Sequence, residues 1–266
     1  MNRLRKSPQR GVTLIEMIVA IVVGGVLIAM AGMFVRRQIM SYFDVARRAE
    51  LSDIADGALR RIARDVQGAL PNSLRPGAVN SSFLEFVPLV TAGRFASQDL
   101  PDLGSPLAVQ GPPVNVAAGQ QLVVCNTGQA LAEVYAGNNR RPLTAGAALS
   151  SLAFGGAAIT DYCSSNRFHV VGQSVVYAFE GGGVRTLWRF SRCSLQAVQP
   201  STIAALTANC TLKAALATSV DSVRFNYAAN ALPSLGILSI GLVLSASDAP
   251  EERVTLLQQV NLPNSP

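Results

Sequence analysis

The first residues in this chain with chemistry to offer are Gly11-Val12-Thr13-Leu14-Ile15-Glu16, and above all the carboxylate of Glu16. Apart from Thr13 and Glu16, residues 12–35 are apolar or glycine. That is close to the ~20 residues a helix needs to cross the hydrocarbon core of a membrane. A carboxylate held charged and unpaired at the membrane centre costs about 2.5–3.5 kcal/mol. An acid at the head of such a segment therefore asks for a cationic partner or a place among the lipid headgroups. Four basic residues, Arg3, Arg5, Lys6 and Arg10, precede it with no acid among them. That bias predicts a cytoplasmic N-terminus and a remainder that crosses outward. A secretory signal peptide is the rival reading, since Ala29-Met30-Ala31 before Gly32 offers a small-x-small cleavage site. Against it stand Glu16 inside the apolar run, the length of that run, and its unbroken continuation into an amphipathic helix.

The remaining reactive residue types form no constellation. His169 is the single histidine and falls in an expected strand, Arg167 to Val171, so neither a triad nor a metal cluster can be built around it. Gly181-Gly182-Gly183 lacks the lysine and the strand–loop–helix setting of a phosphate loop and reads as a hairpin turn. Trp188, Tyr177 and Phe179 read as the packing of that hairpin rather than a sugar platform. Arg140-Arg141 and Arg47-Arg48 read as solvated pairs. No catalytic residue, metal site or cofactor is expected, and the acids are too scattered to nominate calcium ligands. Four cysteines, Cys125, Cys163, Cys193 and Cys210, lie beyond the apolar run with no Cys-x-x-Cys pair, which favours two disulfides. Three pairings are open; sequence proximity points to Cys125–Cys163 and Cys193–Cys210.

The opening motif resembles the cleavage and methylation motif of type IV pilins and of the pseudopilins of type II secretion. Its commonest form is Gly-Phe-Thr-Leu-Ile-Glu; here valine stands in place of phenylalanine. The resemblance implies cleavage after Gly11 by a prepilin peptidase and N-methylation of Val12. It also implies that Glu16, with Thr13 and Leu14 beside it, registers the subunit against the freed amine of a neighbour. Val12 and Glu16 are four apart, one helical face, where a carboxylate also suits the helix dipole. The implied partners are other major and minor pilin subunits, the inner-membrane assembly platform and membrane lipid. The implied location is the inner membrane in a single pass before assembly, and a periplasmic or cell-surface filament afterwards. Losing the leader removes four of the 22 basic residues and leaves 18 against 16 acids, so the net charge of +6 is no argument for nucleic acid.

The fold class expected is α+β: a long N-terminal helix packed on an antiparallel sheet, as in type IV pilins. The expected divisions are a leader, 1–11; a membrane and filament-core half of the helix, 12–35; an amphipathic half, 36–70; and a β-rich domain, 71–266. Ile39, Phe43, Ala46, Ile54, Ala58, Ile62, Val66 and Ala69 recur at three- and four-residue steps and define a packing face. Asp44/Arg48, Asp56/Arg60 and Arg61/Asp65 are opposite charges four apart on a solvated face. Pro71 ends the helix near Ala69, which gives a length near 85 Å at about 1.5 Å per residue if straight. Gly24, Gly25 and Gly32 weaken its first half. Strands are expected at Ser82–Val90, Gln121–Cys125, Ser174–Phe179, Val184–Phe190, Val220–Tyr227, Gly236–Ser245 and Arg253–Val260. Residues 91–119 and 137–166 read as long loops, and 194–219 as a short helix or loop. The length, together with Ala69-Leu70-Pro71-Asn72-Ser73 and Asn166-Arg167-Phe168-His169-Val170-Val171, is similar to large minor pilins of the O type from MSHA (mannose-sensitive haemagglutinin) pili. Their usual cysteine after the next strand is absent, Ala178-Phe179 standing there. A minor pseudopilin of type II secretion, and a membrane-anchored adhesin with an ordinary signal or anchor, are the alternatives.

Overall fold

The apolar run and the amphipathic stretch behind it form one helix, α1, Leu14–Gln67. The computed structural model describes residues 11–77, 82–96, 103–128, 133–159, 166–232, 235–247 and 249–263. The chain divides into two compact units, Met1–Ala49 and Glu50–Pro266, and α1 contributes residues to both. In the first unit its side chains are exposed almost throughout. Burial begins at Leu51 and continues through Ala55, Ala58, Leu59, Ile62, Ala63 and Val66. The packing face thus starts later than the periodicity implies: Ile39 is 51% and Phe43 58% exposed. The helix ends as Gly68 and Pro71 dictate, and Asn72 turns the chain at φ 59°, a left-handed conformation that asparagine tolerates better than most residues.

The β-rich part runs β1 (Arg75–Pro76), β2 (Phe83–Phe86), β3 (Leu89–Phe95), β4 (Leu107–Gln110), β5 (Val114–Val116), β6 (Gln121–Val124), β7 (Arg140–Pro142), β8 (Gly146–Leu149) and β9 (Ser151–Leu152). It continues with β10 (Arg167–Val171), β11 (Ser174–Glu180), β12 (Thr186–Cys193), the short helix α2 (Ile203–Asn209), β13 (Cys210–Ala217), β14 (Val220–Leu232), β15 (Leu235–Ser245) and β16 (Arg253–Pro263). The strands form sheets in the orders β1-β2-β11-β12-β13, β7-β6-β10-β3-β4-β9, β14-β15-β16 and β5-β8, every pairing antiparallel. The architecture is α+β, a long helix followed by antiparallel sheets, and it fits a type IV pilin-like fold.

The principal core lies where α1 meets two of these sheets. Leu238, Ile240, Leu242 and Leu244 alternate along β15, and all four are fully buried against the helix face of the second unit, with Leu84, Phe86 and Tyr177 from the five-stranded sheet. Each such side chain contributes about 1.5–3 kcal/mol by leaving water. A polar clamp fixes the same contact. The Asp65 carboxylate accepts from Arg189 Nε at 2.8 Å and from the Tyr177 hydroxyl at 2.8 Å, while Arg61 pairs with its other oxygen at 3.0 Å. Asp65 is therefore a tie between helix and sheet rather than only half of a solvated pair. Asp56–Arg60, at 2.7 Å, is an exposed pair as the spacing implies.

A second core fills the six-stranded sheet and the β5–β8 pair. There Phe168 lies over Gly93 of the adjacent strand so closely that a Cβ on Gly93 would stand 2.5 Å from the ring. The two regions expected to be loops, 91–119 and 137–166, instead supply the end of β3 and all of β4, β5, β7, β8 and β9. The single strand expected over 82–90 is broken into β2 and β3, because Pro88 cannot donate to a ladder. Glu85 is buried and takes Arg75 Nη2 at 2.9 Å. Burial raises its carboxyl, and Arg75 pulls it partly back. The hairpin β11–β12 forms about the glycine turn. Its aromatics divide between two clusters: Tyr177 and Phe179 face α1, whereas Trp188 packs with Phe190 beside α2. Arg141, expected to be solvated, reaches the carbonyls of Ala157 and Ala158 at 2.6 and 3.0 Å.

Candidate functional site

Gly11, Val12 and Thr13 form an exposed, non-helical lead into α1, and Leu14 is its first helical residue. Thr13 caps the helix. Its carbonyl accepts the Met17 N–H at 3.2 Å, and its side-chain oxygen accepts the Glu16 N–H at 3.3 Å. Glu16 thereby stands three residues past the cap, where the Thr-x-x-Glu spacing of a capping box puts it and where the free N–H groups of the first turn favour negative charge. The three-residue step from Thr13 to Glu16 is the sequence signal of this cap. The geometry holds a single carboxylate, one turn deep, at the end of a helix with no other charge as far as Val35. From Leu14 to Val35 that helix is about 33 Å long at about 1.5 Å per residue. Arg36 and Arg37 bound it on the far side. Among the described residues α1 is the one helix long and apolar enough to cross a membrane.

Gly11 shares an open setting with Gly24, Gly25 and Gly32 of α1. Its φ lies outside the left-handed range, and a Cβ added there would meet nothing within 4 Å. Backbone strain and packing, the two structural reasons for glycine, are both missing.

Residues 6–32 match the family model described as the prokaryotic N-terminal methylation motif. The match supports a type IV pilin or pseudopilin. No curated protein and no solved structure matches the chain. The motif implies prepilin peptidase processing and assembly with other pilins in general terms, and with the apolar helix it indicates anchoring in a membrane.

The cysteines and His169 belong to the second unit. Cys193 and Cys210 are joined by a disulfide that closes a 17-residue separation around α2. Cys125 follows β6 at φ 60°, while Cys163, its expected partner, lies outside the described residues, as do the basic residues of the leader. His169 sits in β10 between Ala92 of β3 and Val123 of β6, 5% exposed. Among the described residues its buried Nδ1 has no hydrogen-bond partner. Burial, with the Arg167 guanidinium adding to it, holds the imidazole down to about 4, so the group is a neutral part of the interior. Among the described residues no three His, Cys, Asp or Glu side chains gather as metal ligands would.

Proposed function

We propose that the chain is a minor subunit of a type IV pilus, cut after Gly11 and methylated on Val12. In this reading residues 12–35 anchor the subunit in the inner membrane before assembly, N-terminus in the cytoplasm, and supply filament core afterwards. The new amine on Val12 then lies four residues from Glu16, and a neighbour's amine satisfies the carboxylate that lipid leaves costly. The observation that carries the reading is the conjunction at one helix end: a glycine, a threonine cap, and one carboxylate at the head of an otherwise uncharged span. Assignment to an MSHA-type pilus, as an O-type subunit, is the finer part of the proposal and rests on the residue likeness at 69–73 and 166–171. No catalytic step and no cofactor enters it. A pseudopilin of type II secretion would use the same chemistry.

The test follows a tagged full chain into filaments sheared from the cell surface. The unaltered chain is expected in that fraction. Glu16→Leu is expected to be processed yet retained in the membrane. Incorporation of Glu16→Leu at the level of the unaltered chain would remove Glu16 from the assembly mechanism. Recovery with secretion components, not surface filaments, would favour the pseudopilin.

A further inference from the structure

We propose that one face of the six-stranded sheet docks an acidic segment of a neighbouring subunit by seating a carboxylate between Arg94 and Arg167; the proposal rests on the filament reading above. The strands of that sheet hold the arginines Arg94, Arg140, Arg141 and Arg167, and no aspartate or glutamate. Arg140 and Arg141 spend donors on main-chain carbonyls, those of Leu195 and of Ala157 and Ala158. Arg94 of β3 and Arg167 of β10 differ. They stand directly opposite each other, both are exposed, and among the described residues neither has a hydrogen bond or an ion pair. The Phe95 N–H donates to the Asn166 carbonyl at 3.0 Å. Arg94 and Arg167 are therefore the non-hydrogen-bonded kind of antiparallel pair, in which Cα atoms come within about 4.5 Å and side chains lie closest. Like charges so placed destabilise a sheet.

The surroundings tell what would join. Residues two apart along a strand share a face, so Ala92 neighbours Arg94 and His169 neighbours Arg167, while Gln110 of β4 stands opposite Arg94 on its other side. Ala92, Ala108 and Gln110 are exposed and uncharged, and the buried, neutral His169 offers no countercharge. The two guanidiniums thus meet solvent beside short or neutral side chains, with the repulsion between them unrelieved. A carboxylate has two oxygens with about four acceptor positions and can take N–H donors from both at once. Charge complementarity therefore names an aspartate or glutamate as the occupant. Nucleic acid fits poorly. Duplex DNA presents one negative charge per about 1.7 Å of its axis and asks for a run of free cations, whereas the other two arginines of this sheet are engaged with carbonyls.

The experiment compares Arg94→Gln and Arg167→Gln in the full chain, by melting temperature in detergent and by incorporation into sheared filaments. Each is expected to raise the melting temperature by roughly 1–3 °C at low salt, a gain that high salt removes, and to lower incorporation about tenfold. A merely structural role for the pair would move both readings downward together. A photo-cross-linking amino acid at position 92 is expected to give adducts with a subunit bearing a prepilin motif, within a few residues of an aspartate or glutamate. A fall in melting temperature would mean that the arginines have a partner within the chain, and would overturn the proposal. Normal incorporation of both variants, or adducts remote from any acid, would overturn it and leave the filament reading intact. So would binding of a duplex oligonucleotide that both variants lose while still assembling normally. Absence of the unaltered chain from filaments, with an unprocessed N-terminus, would overturn the filament reading and this proposal with it.

Discussion

At the scale of single residues, the fold and the proposed processing site make separable demands. Gly11→Leu should leave the structure untouched, since nothing lies near that position, yet block removal of the leader; an immunoblot of chain length in the presence of the peptidase reads this directly. Thr13→Ala should free the first turn. Losing a cap costs about 1 kcal/mol, so the Glu16 amide should exchange roughly fivefold faster in detergent micelles, with Thr13→Ser close to the original. His169 sets an acid limit. Its imidazole protonates near 6.5 in the unfolded chain and only near 4 when folded. The unfolded state therefore gains the proton first as pH falls, and the stabilisation present above 6.5 is lost on the way to 4. The loss is roughly 3 kcal/mol. Denaturant titration at pH 7 and pH 4 should show that difference shrinking by about this amount in His169→Gln; an equal acid loss in both proteins would mean that other groups carry it.

At the scale of elements, the amphipathic helix and the β15 strand were legible because each buries one face with its own period. The periodicity could not say where burial starts: an apolar residue at the right step looks the same at Phe43, exposed, and at Ile62, fully buried. The strands of 91–119 and 137–166 were missed for another reason. β5, β7, β8 and β9 have two to four residues each, several of them Gly, Ala or Ser, and they exist through partners far along the chain, as Leu107 pairs with Leu152. Asp65 shows the same blindness. Its partner four residues away was visible, whereas Arg189, 124 residues on, was not. Asp65→Ala leaves Arg189 and Tyr177 without their acceptor in a largely buried place, and should cost about 2–4 kcal/mol in chemical denaturation. Arg60→Ala, which breaks an exposed pair, should cost under about 0.5 kcal/mol. Gly93→Ala forces Phe168 off its seat and should cost on the order of 1–3 kcal/mol, a loss that Phe168→Leu in the same chain should partly relieve.

At the scale of the whole molecule, a helix whose first 22 residues carry one charge is joined to a sheet-rich unit with its own buried cores. That combination indicates anchoring in a membrane. The motif at the helix head was the most legible part of the chain, because a glycine, a hydroxyl and an acid at fixed steps form a local pattern that needs no partner far along the chain. The measurement that bears most directly on the account is the N-terminus of the mature protein, by mass spectrometry, from cells with and without their prepilin peptidase. The account predicts a peptide beginning at N-methylated Val12 that disappears without the peptidase. A mature start at Gly32, or an intact Met1 in both strains, would contradict it.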